Sequence, residues 1–248
     1  EAYLGSIIQE NPSDLACGSR VLFSMKSVIV PSALLGTDSV GVPDEAAWKL
    51  FGPLAARRIG KSEVDLRSEK AAVALDETMA ETHVIVWRAP SVEMTNAIAF
   101  KPVRVQHRSI ELNPLVCRWM NADFDGDQVG LYLPLGPEAQ AEIAQKLTVA
   151  AHLRRDPGLI DTLIPPHEAV WGLSLLRLSE QREDTIESLA GTIATHSDLL
   201  TQSELQSHMR EIVRSEGAEK AICTLEGLMK IGFEAAATSG ASLDPFMD

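Results

Sequence analysis

Asn121-Ala122-Asp123-Phe124-Asp125-Gly126-Asp127-Gln128 runs straight into Val129-Gly130-Leu131-Tyr132-Leu133, setting three carboxylates within five residues just ahead of a strand-like apolar run. Three like charges at this spacing repel and raise one another's pKa, so a fold keeps them together only where something positive sits between them. In an extended segment, residues at i, i+2 and i+4 face one way. That places Asp123, Asp125 and Asp127 on one side and Phe124 against a core on the other. Gly126 supplies the backbone freedom that lets the third carboxylate close on the point the first two share. An all-oxygen donor set without thiol or imidazole suits Mg²⁺, with ligands at roughly 2.0–2.1 Å and waters or substrate phosphates completing an octahedron.

Two competing readings bear on the same residues. Asn121, Asp123, Asp125 and Gly126 fall at positions one, three, five and six of an EF-hand loop. Position twelve, which needs a bidentate Glu, is Tyr132, and a strand follows where an EF-hand requires a helix. A merely solvated acidic turn is the other reading, but apolar runs flank this one on both sides, Leu115-Val116-Cys117 before and Val129 to Leu133 after.

Working outward, Val21 to Val30 and Val84 to Leu133 show short β-branched runs alternating with polar residues and broken by Pro and Gly, the pattern of a barrel or small sheet. Between them Asp44 to Ile59 and Glu63 to Glu81 have helical spacing, with Pro43 as a start signal. After Pro134 the pattern is helical to the end, with Thr201-Gln202-Ser203-Glu204 as a capping box and Gly217 and Gly240 as stops. No solenoid-length repeat or low-complexity segment interrupts it. The expected class is α+β: a β-domain over 1–135 with a helical insertion at about 43–81, then a mostly helical region over 136–248.

Composition sets outer limits. The chain has 248 residues, 45% of them hydrophobic, enough for a substantial core. Cys17, Cys117 and Cys223 are too far apart for a zinc pattern or a disulfide framework, which fits a reducing cytosol. No apolar run reaches the length of a membrane span, and no basic-then-apolar leader precedes Gly18, so a cytoplasmic protein is expected. The opening on Glu1 without an initiator Met reads as a piece of a longer polypeptide. A net charge of −13 is the wrong sign for a freestanding nucleic-acid binder. The acidity sits mainly in 136–248, with 18 Asp+Glu against 9 Lys+Arg, whereas the first half offers Arg20, Lys26, Lys101, Arg104, Arg108 and Arg118. For Lys101, Arg104 and Arg108 a solvated surface and a functional role are equally open.

The acidic run resembles the absolute motif of the largest, β′-type subunit of multisubunit DNA-directed RNA polymerases. Other segments match that family in order: Gly18-Ser19-Arg20-Val21 with Ser27-Val28-Ile29-Val30, Arg88-Ala89-Pro90, Ala99-Phe100-Lys101-Pro102-Val103, Leu112-Asn113-Pro114-Leu115-Val116-Cys117, and Ser239-Gly240-Ala241-Ser242. The resemblance implies that the β-part is a double-psi β-barrel and that the helical region leads toward the pore or funnel part of the subunit. It implies Asp123, Asp125 and Asp127 as catalytic metal ligands, Arg88, Asn121 and Pro90 as substrate-binding residues, and Arg20 and Lys26 as contacts to template phosphates. The implied cofactor is Mg²⁺ in a two-ion arrangement, the second ion arriving with the nucleotide, and no zinc is expected. Implied partners are the second-largest, β-type subunit, the other core subunits, DNA template, RNA transcript and NTPs, in association with the bacterial nucleoid and with no membrane. Departures stand at Trp87, where the family usually has Asn, at Glu93 and Met94 after the Arg-Ala-Pro segment, and at Met25 and Lys26, where Lys keeps the charge of an Arg but not its planar fork.

The chemistry expected is templated nucleotidyl transfer, in which two Mg²⁺ about 3.5–4 Å apart activate the attacking oxygen and stabilise the leaving pyrophosphate. Positioning and electrostatics carry such a reaction, so no protein nucleophile is needed. An amide and a guanidinium at Asn121 and Arg88 can donate to and orient a ribose 2′-OH. His83, His107, His152, His167, His196 and His208 have no ligand spacing and are assigned no role. Three alternatives stand beside this reading: an RNA-templated silencing polymerase with a similar barrel, a non-catalytic paralogue or assembly module, and the calcium loop. The isolated chain is expected to be inactive.

Overall fold

The structure, a computed structural model, describes residues 22–91, 93–178, 186, 190 and 200–239. Arg20, Cys17, His196 and the Gly240-Ala241-Ser242 segment lie outside the described residues. The first strand, β1 (Ser24–Pro31), is followed by β2 (Ser39–Pro43), then by helices α1 (Asp44–Ile59), α2 (Lys61–Asp65) and α3 (Glu69–Glu81). Strand β3 (Val84–Trp87) leads through a 3₁₀ turn (Met94–Asn96) into β4 (Ala97–Val105) and β5 (Ile110–Leu112). A short helix α4 (Pro114–Cys117) precedes β6 (Gln128–Tyr132).

These strands close in the order β1-β5-β2-β4-β3-β6, a double-psi barrel with a helical insertion between β2 and β3. The two long strands each change partner midway. Ser24 to Val28 of β1 pair antiparallel with β6, and Ile29 to Pro31 then pair parallel with β5. β4 repeats the arrangement, antiparallel with β3 over Ala97 to Phe100 and parallel with β2 over Lys101 to Val105. The alternation of β-branched and polar residues turns Ile29, Val40, Val42, Val84, Val86, Ile98, Phe100, Ile110, Leu112, Val129 and Leu131 inward, all at most 1% exposed. Each such side chain contributes about 1.5–3 kcal/mol through burial, so closing the barrel stabilises the chain without a disulfide.

The insertion is clamped to the barrel by residues whose roles were open from sequence. Arg104 on β4 donates to Asp44 at the start of α1 (3.0 Å) and in bidentate fashion to Asp76 on α3 (2.8 and 2.7 Å). These carboxylates, Asp76 first, hold its guanidinium pKa above the ordinary arginine value. Lys101 donates to the Ala80 carbonyl at 3.0 Å. The expected single helical stretch from Glu63 to Glu81 is broken, because Ser68 restarts the helix: its hydroxyl accepts from Ala71 N–H and donates to Glu63.

Helices follow the barrel: α5 (Pro137–Lys146), α6 (Val149–Arg155), a 3₁₀ turn (Pro157–Asp161), α7 (His167–Leu178), α8 (Gln202–Glu216) and α9 (Ala218–Thr238). The Thr201/Glu204 capping box is formed in both directions, and Gly217 ends α8 at φ 93°. The apolar core is continuous from barrel to helices. Polar ties reinforce it: Trp119 Nε1 donates to Thr162 Oγ1 (2.9 Å) and to the Leu159 carbonyl (3.2 Å), and the Thr37 hydroxyl donates to Glu226 of α9 (2.7 Å).

Candidate active site

Register brings the key residues together. β3 and β6 run antiparallel with Trp87 opposite Gly130, so Arg88, just past β3, continues opposite Val129, and Asp127, just before β6, lies two positions along, a diagonal step within reach of a long side chain. Arg88 Nε donates to Asp127 Oδ2 at 2.9 Å, and Nη2 lies 2.9 Å from the same oxygen as an ion pair. The pair is largely shielded, with side chains 17% and 25% exposed. Main-chain bonds hold both ends: Arg88 N–H donates to the Asn96 carbonyl, and Ile29 N–H donates to the Asp127 carbonyl.

The acidic run itself is a turn over residues 124–126 rather than an extended segment. The alternation expected for Asp123, Asp125 and Asp127 therefore does not set their directions. Asp123 Oδ1 accepts from Phe124 N–H at 2.8 Å, and Asp127 Oδ2 reaches back to accept from Asp123 N–H at 3.0 Å. Gly126 takes φ 124°, and nothing lies within 4 Å of where a Cβ would be, so backbone conformation rather than crowding calls for glycine there. Asn121 enters the turn at φ 48°, a left-handed position that Asn tolerates, with its N–H donating to the Arg118 carbonyl. Phe124 packs against the core as expected.

Among the described residues, no three His, Cys, Asp or Glu side chains converge on one point, the Asp triad included. The positive partner expected between the carboxylates is, for Asp127, the Arg88 guanidinium. The Asp123 N–H and then Arg88 hold the Asp127 carboxyl below the usual carboxylate range, opposite in direction to mutual repulsion. The donor chemistry nonetheless fits a hard dication. Asp123 and Asp125 are exposed on the turn, where water or phosphate can complete a shell. The neighbouring thiol, Cys117, is buried and pushed up to about 12, first by burial and then by the Asp123 charge, so it stays protonated and offers no soft ligand.

Other expected site residues are placed as follows. Pro90 is exposed and follows a cis Ala89-Pro90 peptide in the loop after Arg88. Lys26 is exposed on β1 opposite Gly130, in one row with Gly130 and Trp87 across three strands. Arg20 lies outside the described residues. Two of the departures, Trp87 and Glu93, gain local explanations. The Trp87 indole lies over Gly130, its Nε1 donating to Ser91, and Glu93 caps the 3₁₀ turn by accepting from Asn96 N–H. Sequence reasoning missed Asn96, which is 2% exposed. Its amide donates to the Trp119 carbonyl (3.2 Å) and accepts from Glu93 N–H (2.8 Å), tying the Arg88 loop to the segment that feeds the acidic turn. The one available signal was the Glu93-x-x-Asn96 spacing of a cap.

A closed double-psi barrel carrying an arginine and an acidic turn at one end of a strand pair defines the class of protein. Residues 55–149 match the family model described as RNA polymerase Rpb1, domain 2. The β′ subunit of DNA-directed RNA polymerase from Rubrobacter xylanophilus is 31% identical over 215 residues, covering 81% of this chain and 16% of that protein. The Clostridium tetani β′ subunit is 37% identical over 177 residues (66% and 15%), and that of Moorella thermoacetica 40% over 146 residues (54% and 12%). The chain belongs to the β′-type subunit family of DNA-directed RNA polymerase and spans about 16% or less of the length of these relatives.

Proposed function

We propose that this chain carries the metal-holding catalytic segment of a β′-type subunit and acts in Mg²⁺-dependent, template-directed transfer of nucleotides to an RNA 3′ end. Residues 1–135 would form the catalytic unit, and 136–248 would lead toward the pore of the subunit. The observation that carries the reading is the juxtaposition of Arg88 with Asp127, 39 positions apart in sequence and joined at 2.9 Å. Family membership supports it.

Asp123, Asp125 and Asp127 would hold Mg²⁺, and Asn121 and Arg88 would orient the ribose of the incoming nucleotide, with Pro90 shaping the same loop. Bound magnesium supplies positive charge for the attacking oxygen, the α-phosphate and the departing pyrophosphate. The bond formed joins the RNA 3′ oxygen to the α-phosphorus, the bond to pyrophosphate breaks, and the proton of the 3′ hydroxyl is lost to solvent. This chain contributes placement: the barrel fixes the main chain on both sides of the acidic turn, and Asn96 fixes the Arg88 loop against it. Lys26 and Arg20 would meet template phosphates. The partners are the β-type and other core subunits, DNA, RNA and NTPs, and the chain alone should be inactive.

Templated RNA extension by the full-length protein assembled with its partner subunits, wild type beside Asp125→Ala, tests this reading. Extension should vanish in the variant. Undiminished extension by Asp125→Ala would remove the turn from catalysis, and no extension by a properly assembled wild type would favour a non-catalytic paralogue.

A further inference from the structure

β6 alternates in exposure, with Val129 and Leu131 buried and Gln128, Gly130 and Tyr132 turned outward. Pairing sets Lys26 and Trp87 on either side of Gly130 in one row across the strands. Trp87 is 48% exposed and Tyr132 41%, and Lys26 and Gln128 are exposed on the same face. The face begins where the acidic turn ends and runs along β6 for about 14 Å. Strands β1, β3 and β6 contain no carboxylate, and Lys26 is their one charged residue, although the chain carries a net charge of −13. Among the described residues no carboxylate pairs with Lys26. The Trp87 indole is anchored by donation from its Nε1 to Ser91, and it lies over Gly130, where an added Cβ would come 3.4 Å from its Cε3. An anchored, open aromatic ring beside a free cation on an acid-free face suits a single nucleic-acid strand, whose bases stack on rings and whose phosphates seek positive charge.

We propose that Trp87 is a base-stacking platform for the unpaired template strand, with Lys26 on that strand's phosphates. The inference rests on the reading of this chain as acting in templated nucleotide transfer. In such a reaction the template base awaiting its nucleotide is unpaired, and a stacking ring needs a free base face, which a transcript paired to its template does not offer. Arg88, proposed to hold the nucleotide that pairs with that base, is the next residue along the chain. Asn, the family's usual residue at this position, has no ring to stack, so the platform is a property of this chain.

Competition binding to the full-length protein, assembled with its partner subunits, tests the platform. The ligand is a template DNA paired to RNA, with one template base unpaired beyond the RNA 3′ end and that base either present or replaced by an abasic site. Stacking on an aromatic side chain is worth about five- to 150-fold in affinity per base. Trp87→Asn should bind the intact template at least about fivefold more weakly than wild type, Trp87→Phe should recover most of the loss, and the abasic template should bind wild type and variants alike. An equal loss on both templates, or no loss on either, overturns the stacking role. A loss abolished by an abasic site at the RNA 3′ end instead gives the ring to the transcript and overturns the choice of strand. Failure of both variants to assemble places a partner subunit on this face and also overturns the proposal. RNA extension by the wild type on the intact template keeps the two readings apart: where extension proceeds, these outcomes bear on Trp87 alone, and its absence in a properly assembled enzyme overturns both.

Discussion

The crossing of α7 and α9 offers a test in which two physical effects carry opposite signs. A Cβ built on Gly172 would lie 1.9 Å from the Gly232 carbonyl oxygen and 2.8 Å from its carbon, where real contacts do not fall below 3.0 Å. The Gly172→Ala chain must therefore move the helices apart by about 1 Å, at the expense of the packing of Ala169, Leu173, Leu225, Leu228 and Met229, all buried on these two helices. Overpacking of this kind costs about 1–3 kcal/mol. Helix propensity works the other way, since alanine is about 0.8–1.0 kcal/mol better than glycine in a helix interior. The net is a loss centred on about 1 kcal/mol and at most about 2 kcal/mol, which for a chain of this size lowers Tm by about 2–4 °C per kcal/mol. The midpoint of thermal unfolding followed by circular dichroism should thus fall for Gly172→Ala. A Gly172→Ala chain at least as stable as wild type would show that the two backbones do not touch there.

Asn96→Ala should cost about 1–3 kcal/mol by leaving the buried Trp119 carbonyl unpaired, and should lower RNA extension by the assembled enzyme beyond what its stability explains; equal extension per folded molecule would deny Asn96 a positioning role. Thr201→Ala should lose about 1 kcal/mol through the broken capping box, read as a shifted denaturation midpoint at unchanged slope. His152 is fully buried; burial first and then Arg155, whose Nη2 meets its Nδ1 at 2.6 Å, hold its pKa below the ordinary value. A histidine kept neutral in the fold is protonated first in the unfolded chain, so its contribution is complete above the unfolded pKa of about 6.5 and is lost as pH falls below it, at up to about 1.4 kcal/mol per pH unit. Unfolding free energies from pH 7.5 to 5.5 should slope less in His152→Phe; an equal slope would mean that His152 does not titrate between the two states.

Local pattern determined a good deal. The β-branched alternation, Pro43 before Asp44, and the Thr201 and Gly217 boundaries are signals carried within a few residues, and the structure places strands and helices where they lie. The acidic turn was equally legible, because three carboxylates around one glycine are unusual whatever surrounds them. Its conformation was not, since strand-like alternation assumes an extended backbone and the chain bends at 124–126.

Tertiary structure alone decided who meets whom. The exchange of partners along β1 and β4 depends on pairings between distant segments, which no local periodicity encodes. Arg104 and Lys101 could have been surface or site residues until α1 and α3 packed against β4 and claimed them. The meeting of Arg88 with Asp127 follows from one register, Trp87 opposite Gly130. A slip of that register would turn every side chain of the strand to the other face. Composition and spacing thus determine which chemistry the chain holds, while closure of the barrel determines which charge answers which.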